Sequence, residues 1–233
     1  MILALTGFMG CGKSSVGRLV ASRLGCAFTD LDEAVEAAQG RSVARIFAED
    51  GEAGFRAAEV AALRNVIDSF ASLGMTESAS LGMTESASLG MTESASLGMT
   101  GDDTGLGMTQ PRHSGLDPES VTVLALGGGT LTTPEARKLV AENTRCIYLR
   151  ASVETLVRNL SCYDIYEAGS EDGRHDSGRV RPLLEGAEDE ASLRSRIEAL
   201  LAERSATYEE AADVIIDIDG LSGELIAERA INQ

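Results

Sequence analysis

Residues 7–15 read GFMGCGKSS, a glycine-rich stretch that ends in one lysine and two serines. It follows the apolar run ILAL at residues 2–5 and precedes VGRLVASRL at residues 16–24, whose apolar residues recur at helical spacing. Gly7, Gly12, Lys13 and Ser14 occupy the fixed positions of the pattern G-x-x-x-x-G-K-[ST]. A strand before this pattern and a helix after it are the context that the pattern requires. The stretch therefore predicts a loop that holds phosphate groups.

Each residue type in this loop suits the binding of a nucleoside triphosphate. Glycines let backbone N–H groups converge on phosphate oxygens, and the positive end of the following helix adds to the attraction. Lys13 is expected to reach the β and γ phosphates, and Ser14 to ligate Mg²⁺. The residues expected to contact ATP here are Gly10, Cys11, Gly12, Lys13, Ser14 and Ser15. A glycine-rich turn that only joins strand to helix is the alternative, and Cys11 is interpreted as a small residue rather than a redox switch.

Length, charge and cysteine content exclude several classes of protein. The 233 residues carry a formal net charge of −17, which disfavours a general affinity for nucleic acid or for an anionic membrane. The four cysteines form no C-x-x-C pair, so the sequence suggests neither a zinc site nor a disulfide framework. The apolar stretch at the start is too short for export or for spanning a membrane. We expect a cytoplasmic, monomeric protein.

Short aliphatic runs alternate with helical patterns along the chain. This alternation predicts an α/β fold with a five-stranded parallel sheet and helices on both faces, formed by residues 1–233 as a single domain. The predicted strands are Ile2–Leu5, Ala27–Thr29, Val121–Leu126, Cys146–Leu149 and Val214–Ile218. The predicted helices are Lys13–Leu24, Glu52–Phe70, Pro134–Glu142, Val153–Asn159 and Ala191–Ala211.

Two polar segments interrupt the alternation. In residues 72–120 the octapeptide SLGMTESA occurs three times in tandem and then decays, and this composition predicts a disordered insertion, with a short solenoid as the alternative. Residues 161–180 are polar and rich in glycine, which predicts a loop. His113 and His175 lie in these two segments, and we assign them to solvent rather than to a metal or to acid–base chemistry.

Two aspartates stand where the second predicted strand ends. Asp30 and Asp32 belong to the sequence DLD, and ligands of open parallel sheets collect at the carboxyl ends of the strands. Phosphoryl transfer needs one carboxylate near Mg²⁺ and another facing the acceptor hydroxyl. The alternative is that Asp32 is only the N-cap of the helix that EAVEAA predicts.

Several motifs together resemble the shikimate kinase family, in order and over most of the chain outside the two polar segments. They are GFMGCGKSSVGRLVASRLG, TDLDE, GRSVARIFAEDGEAGFRAAE, LALGGGTLT, RPLL and the ERSATY stretch with Arg204 and Tyr208. The phosphate loop is shared by many enzymes, whereas FR, GGG and RPLL in this order are specific. The resemblance implies a P-loop kinase of the nucleoside-monophosphate-kinase type. Such an enzyme uses MgATP to phosphorylate the 3-hydroxyl of shikimate in aromatic amino acid biosynthesis.

The resemblance also implies a role for individual residues. Asp32 would bind the shikimate hydroxyls and orient the attacking oxygen, and Asp30 would serve Mg²⁺ through water. Residues 160–188 would form a lid carrying Arg181, which would act in catalysis and bind ATP. The other implied contacts are Arg56, Arg204, Gly127, Gly128 and Gly129 to shikimate and Arg158 to adenine. Arginine's planar fork suits a carboxylate, which agrees with two arginines at the acid group of shikimate.

Some alternatives remain open at the level of sequence. Arg56 and Glu59 could be an ordinary i,i+3 helix pair, and GGG could be only a turn. The segment before RPLL is longer than a compact lid, and ATP contacts near Asp217–Gly220 cannot be assigned. Rival functions are a kinase for another polyol acid such as gluconate and a catalytically inactive nucleotide-binding regulator.

Overall fold

The computed structural model describes residues 1–80, 121–167 and 189–233. Five parallel strands form one sheet with the order β2-β3-β1-β4-β5. The strands are β1 (Ile2–Thr6), β2 (Ala27–Asp30), β3 (Thr122–Ala125), β4 (Thr144–Arg150) and β5 (Val214–Asp217). The helices are α1 (Lys13–Leu24), α2 (Leu31–Gln39), α3 (Val43–Ser80), α4 (Pro134–Asn143), α5 (Val153–Glu167), α6 (Glu190–Ala211) and α7 (Gly223–Ile231). The predicted α/β fold with a five-stranded parallel sheet is confirmed.

The central strand β1 explains why the sheet forms. All five of its residues are buried, because it lies between β3 and β4 and helices cover both faces of the sheet. Leu5, Val123, Ile147 and their neighbours belong to one continuous apolar core. In this parallel sheet the carboxyl ends of β1, β2 and β3 all lie at the same edge. That edge therefore receives the residues that follow these strands.

The predicted helices given above did not include α2 and α7, and the alternative that placed a helix over EAVEAA assigned the wrong residue as its N-cap. The N-cap is Asp30, whose Oδ1 accepts a hydrogen bond from the backbone N–H of Asp32 at 3.0 Å. The alternative of Asp32 as N-cap is therefore wrong. Asp32 lies in the first turn of α2, where an acidic side chain is favoured by the helix dipole.

Two helices extend beyond their predicted ends. The helix α3 begins at Val43, is interrupted at Gly51 with φ 70°, and continues past Phe70 to Ser80, so that it includes the first copy of the repeat. The helix α5 continues past Asn159 to Glu167, into the segment for which we predicted a loop. No glycine or proline occurs between Val153 and Glu167, so nothing in the local sequence stops the helix before Gly169.

The remainder of both polar segments falls outside the described residues. These are residues 81–120 of the repeat segment and residues 168–188 of the predicted lid. Arg181, His113 and His175 lie among them. Within the described ranges, no helix combines the length and the apolar character needed to cross a membrane.

Candidate functional site

The loop between β1 and α1 has the geometry of a phosphate site. Gly10 and Gly12 adopt positive φ angles of 81° and 87°, which glycine tolerates best. The N-cap of α1 is Gly12, and no side chain caps this helix. The first N–H groups of α1 are thus not capped by a side chain and can bind an anion.

Lys13 lies against the loop that it terminates. Its Nζ donates hydrogen bonds to the backbone oxygens of Gly7 at 2.9 Å and Phe8 at 3.0 Å, and the side chain is buried. Nζ also lies 3.9 Å from the Sγ of Cys11. These bonds hold the ammonium group within the loop, where it can exchange carbonyl oxygens for phosphate oxygens.

The second strand supplies a carboxylate to the same loop. The Oγ of Ser14 donates a hydrogen bond of 2.6 Å to Oδ2 of Asp30, which is buried at the end of β2. A hydroxyl and a carboxylate oxygen are the hard ligands that Mg²⁺ prefers, and it usually completes its shell with water and substrate phosphates. The pair therefore fits a Mg²⁺ ion that is bound together with ATP. Of the residues described, no three His, Cys, Asp or Glu side chains form a cluster suited to a metal.

The three glycines after β3 allow close approach by other groups and do not supply positive φ angles. None of Gly127, Gly128 and Gly129 has a positive φ angle. A Cβ on Gly127 would lie 2.9 Å from Oδ1 of Asp32, and one on Gly129 would lie 2.7 Å from Cζ of Arg56. The alternative that GGG is only a turn does not explain these close approaches. Because glycine has no side chain, the side chains of Asp32 and Arg56 can each approach the backbone of this loop closely.

Arg56 and Glu59 form the predicted i,i+3 pair, but this pair is also part of the site. Nη1 of Arg56 lies 2.7 Å from Oε2 of Glu59, and the Glu59 side chain is only 1% exposed. Thr130, at the end of the glycine loop, donates a hydrogen bond to Oε1 of Glu59. Arg56 Nη2 contacts Glu52 at 3.2 Å. Glu59 thus fixes both the guanidinium of Arg56 and the loop beneath it.

A second arginine reaches the glycine loop from α6. Arg204 is 5% exposed, and its Nη1 lies 3.4 Å from the backbone oxygen of Gly128. The Nε atoms of Arg56 and Arg204 are buried and have no hydrogen-bond partner among the described residues. Buried donors without a partner are rare and call for a ligand or an ordered water. Two such guanidinium groups beside one loop suit an anionic ligand.

The phosphate loop and the glycine loop are adjacent. A Cβ on Gly128 would lie 3.2 Å from the backbone nitrogen of Met9, which belongs to the phosphate loop. Asn159 of α5 donates a hydrogen bond of 2.9 Å to the Gly10 oxygen and so holds the phosphate loop from the other side. The sequence analysis did not identify Met9 or Asn159, because their contacts are made by a backbone atom and across 149 residues of chain, respectively.

Residues at the far end of the sheet are less closely associated with this site. Arg158 is exposed, and its Nη2 lies 3.4 Å from Oγ1 of Thr155. Asp219 accepts a hydrogen bond from the Ser152 N–H at 3.0 Å, and Arg150 pairs with Asp217 at 2.5 Å. Among the described residues, no contact places Arg158 beside the phosphate loop. Ser15 is exposed on the first turn of α1.

An all-parallel α/β sheet with a phosphate loop after β1, and an adjacent cluster of two arginines and an aspartate, is typical of a P-loop kinase of small molecules. The sequence profile of the shikimate kinase family matches residues 9–76 and 116–233. The chain belongs to the shikimate kinase family.

Individual relatives agree with this assignment. The chain is 33% identical to the shikimate kinase of Halorhodospira halophila over 97% of its own length and 89% of the relative's. It is 30% identical to that of Chromobacterium violaceum, over 98% and 87% of the two chains. Among solved structures, the shikimate kinase of Acinetobacter baumannii in complex with shikimate superposes with a TM-score of 0.66 at 22% identity, covering 99% of this chain and 90% of that one. The enzyme from Bacteroides thetaiotaomicron gives 0.64 at 21% identity, with coverage of 100% and 94%. At these identities the structures support the fold.

Proposed function

We propose that this protein transfers the γ-phosphoryl group of MgATP to the 3-hydroxyl of shikimate, giving shikimate 3-phosphate and ADP. The observation that carries the proposal is the convergence of Asp32, Arg56 and Arg204 on the glycine loop, directly beside the phosphate loop. A phosphoryl acceptor with a carboxylate and several hydroxyls matches two arginines and one aspartate. The family assignment supports the same substrate.

The donor side of the site binds the triphosphate. The N–H groups at the start of α1 and the ammonium of Lys13 would hold the β and γ phosphates and stabilise the charge that spreads over the transferring group. Ser14 and Asp30 would hold Mg²⁺, Ser14 directly and Asp30 through water. The bound ion neutralises phosphate charge and orients the phosphates.

The acceptor side of the site would hold the hydroxylated ring of shikimate. Arg56 and Arg204 would bind the carboxylate of shikimate by charge-assisted hydrogen bonds. Asp32 would accept a hydrogen bond from the acceptor hydroxyl and so direct its oxygen toward the γ phosphate. Because the phosphate and glycine loops are in contact at Met9 and Gly128, the two reactants would be close enough for direct transfer.

Two implied roles have less support from contacts. Arg181 would add a positive charge over the phosphates, and it belongs to the part of the chain outside the described ranges. Arg158 would stack on adenine, for which its exposed position on α5 leaves access. Cys11, Cys26 and Cys146 are free thiols, which agrees with the reducing, cytoplasmic location that we propose.

The test is a coupled assay of ADP release with shikimate, with gluconate and with no acceptor. We expect rapid ADP release with shikimate alone. Equal turnover on gluconate would assign the arginines to another polyol acid. Folded protein that binds ATP but has no turnover on any acceptor would favour a regulator over an enzyme.

A further inference from the structure

A buried tyrosine of α6 is hydrogen-bonded to the glycine loop. The hydroxyl of Tyr208 donates to the backbone oxygen of Gly128, and the side chain is 1% exposed. Its ring packs on that of Tyr148 in β4, with centroids 5.2 Å apart. Tyr208 lies one turn after Arg204, so both side chains project from the same face of α6. The long contact of Arg204 to the same oxygen, at 3.4 Å, makes Tyr208 the main donor.

This hydrogen bond sets the direction of a backbone N–H. The oxygen of Gly128 and the N–H of Gly129 belong to one peptide unit, and a trans peptide holds them in opposite directions. No cis peptide occurs among the described residues. A donor from α6 that holds the oxygen therefore turns the Gly129 N–H away from α6. That N–H has no backbone partner in the described ranges.

The glycine residues make this restraint necessary. Gly128 and Gly129 have no side chains, so the peptide between them could otherwise rotate with little steric hindrance. The same peptide lies between the two halves of the site, because Gly128 faces Met9 and Gly129 faces Arg56. An error in its orientation would displace the acceptor-binding side relative to the phosphate loop.

The hydroxyl of Tyr208 is suited to a permanent restraint. Burial raises the pKa of this phenol above its ordinary value and so favours the protonated form, which is the form that donates the hydrogen bond. The ring is fixed by Tyr148 and by the core, so little freedom is lost when the hydrogen bond forms.

We infer that Tyr208 is a positioning residue for the acceptor. By holding the oxygen of Gly128, it presents the N–H of Gly129 to bound shikimate. The same hydrogen bond keeps the glycine loop in a fixed position relative to Arg204. This inference deepens the proposed function and rests on it. Tyr208 itself does not touch the substrate, and its effect is made through the peptide unit.

The test compares Tyr208→Phe with Tyr148→Phe. Each variant loses one buried phenol hydroxyl from the same ring pair, but only the first loses the bond to Gly128. We expect Tyr208→Phe to bind shikimate about threefold to tenfold more weakly by calorimetry, as for the loss of one hydrogen bond. ATP affinity should change by less than about twofold, since the phosphate contacts remain. Tyr148→Phe should keep both affinities.

A second measurement, by NMR, observes the Gly129 amide directly. In wild-type protein, shikimate should shift the amide resonance of Gly129 in a ¹⁵N-correlated NMR spectrum, and Tyr208→Phe should move this resonance without ligand while Tyr148→Phe does not. Absence of a shikimate-induced shift at Gly129, or equal shikimate affinity in the two variants, would overturn the inference. Equal loss of ATP and shikimate binding in Tyr208→Phe would also overturn it and indicate a general structural role. Failure of wild-type protein to phosphorylate shikimate would instead refute the proposed function.

Discussion

Arg56 and Glu59 lie one turn apart on α3, and their side chains form an ion pair of 2.7 Å whose carboxylate is buried. Glu59 also accepts a hydrogen bond from Thr130 at the end of the glycine loop. The pair thus connects α3 to the loop after β3. One carboxylate therefore fixes both the arginine that we assign to the acceptor and the glycine loop beside it.

Replacing Arg56 should weaken the binding of shikimate but not the binding of ATP. Charge-assisted hydrogen bonds contribute about 1.5 to 3 kcal/mol, so we expect Arg56→Ala to weaken shikimate binding by about tenfold to a hundredfold. Arg64→Ala is a matched control, because Arg64 lies on the same helix and pairs with Glu135 at the surface. Calorimetry should show unchanged ATP affinity in both variants. Loss of ATP binding with intact shikimate binding would move Arg56 to the nucleotide site.

Removal of the Glu59 carboxylate should destabilise the protein as well as the site. Glu59→Ala leaves the partly buried guanidinium of Arg56 and the hydroxyl of Thr130 without their partner. We expect the free energy of unfolding to fall by about 2 to 3 kcal/mol. Glu135→Ala, which breaks the exposed pair with Arg64, should lower it by less than about 1 kcal/mol. Urea denaturation measures both values, and equal effects would show that Glu59 is not a structural anchor.

Lys13 should be essential for transfer and dispensable for folding. Lys13→Met removes the positive charge near the γ phosphate, and we expect ADP release with shikimate to fall at least about a hundredfold. Lys138→Met removes an exposed lysine of α4 and should leave the rate unchanged. Circular dichroism would confirm that both variants fold. A normal rate in the first would mean that the phosphate loop is not catalytic.

The repeats should be dispensable for catalysis. The described chain resumes at Val121, at the amino end of β3, whereas the glycine loop follows its carboxyl end, so this attachment point and the glycine loop lie at opposite ends of the strand. Replacing residues 81–119 by a short Gly/Ser linker should change the kinetic constants by less than about twofold. The free energy of unfolding should shift by at most about 1 to 2 kcal/mol, since closure entropy depends weakly on loop length. Severely reduced turnover in a folded deletion variant would show that the repeats organise the site.

Alkaline pH should reveal the burial of Tyr148. Burial raises the pKa of this phenol from 10.0 to about 12. Because its pKa is higher in the folded than in the unfolded chain, the associated stabilisation is complete below about pH 10 and is lost as the pH rises toward 12. Between pH 8 and pH 11, wild-type protein should therefore lose about 1 kcal/mol more stability than Tyr148→Phe. Parallel urea melts of the two proteins would show it, and identical losses would mean that Tyr148 ionises normally.

The sequence alone determined the sheet and the phosphate loop, and it pointed to Asp32, Arg56 and Arg204 as the acceptor residues that we propose. Local patterns were sufficient for this purpose, because continuous apolar runs specify strands buried on both faces, and the G-x-x-x-x-G-K-[ST] pattern specifies a backbone conformation that few other sequences can adopt. The order of FR, GGG and RPLL then indicated the family. The end of α5 was not predicted, since a polar sequence without glycine or proline can continue a helix that is packed elsewhere. The end of α3 was not predicted either, because the helix continues through Gly74 to Ser80.

Which backbone groups come into contact with each other or with a side chain depends on the tertiary structure. The N-cap role of Asp30 rather than Asp32 depends on the direction in which the chain leaves β2. The contact of Gly128 with Met9 joins residues from the ends of two neighbouring strands. The bond from Tyr208 to Gly128 spans 80 residues. Such contacts are made by backbone atoms, whose chemistry is the same at every residue, so only the packing of the sheet and of α6 selects the partners.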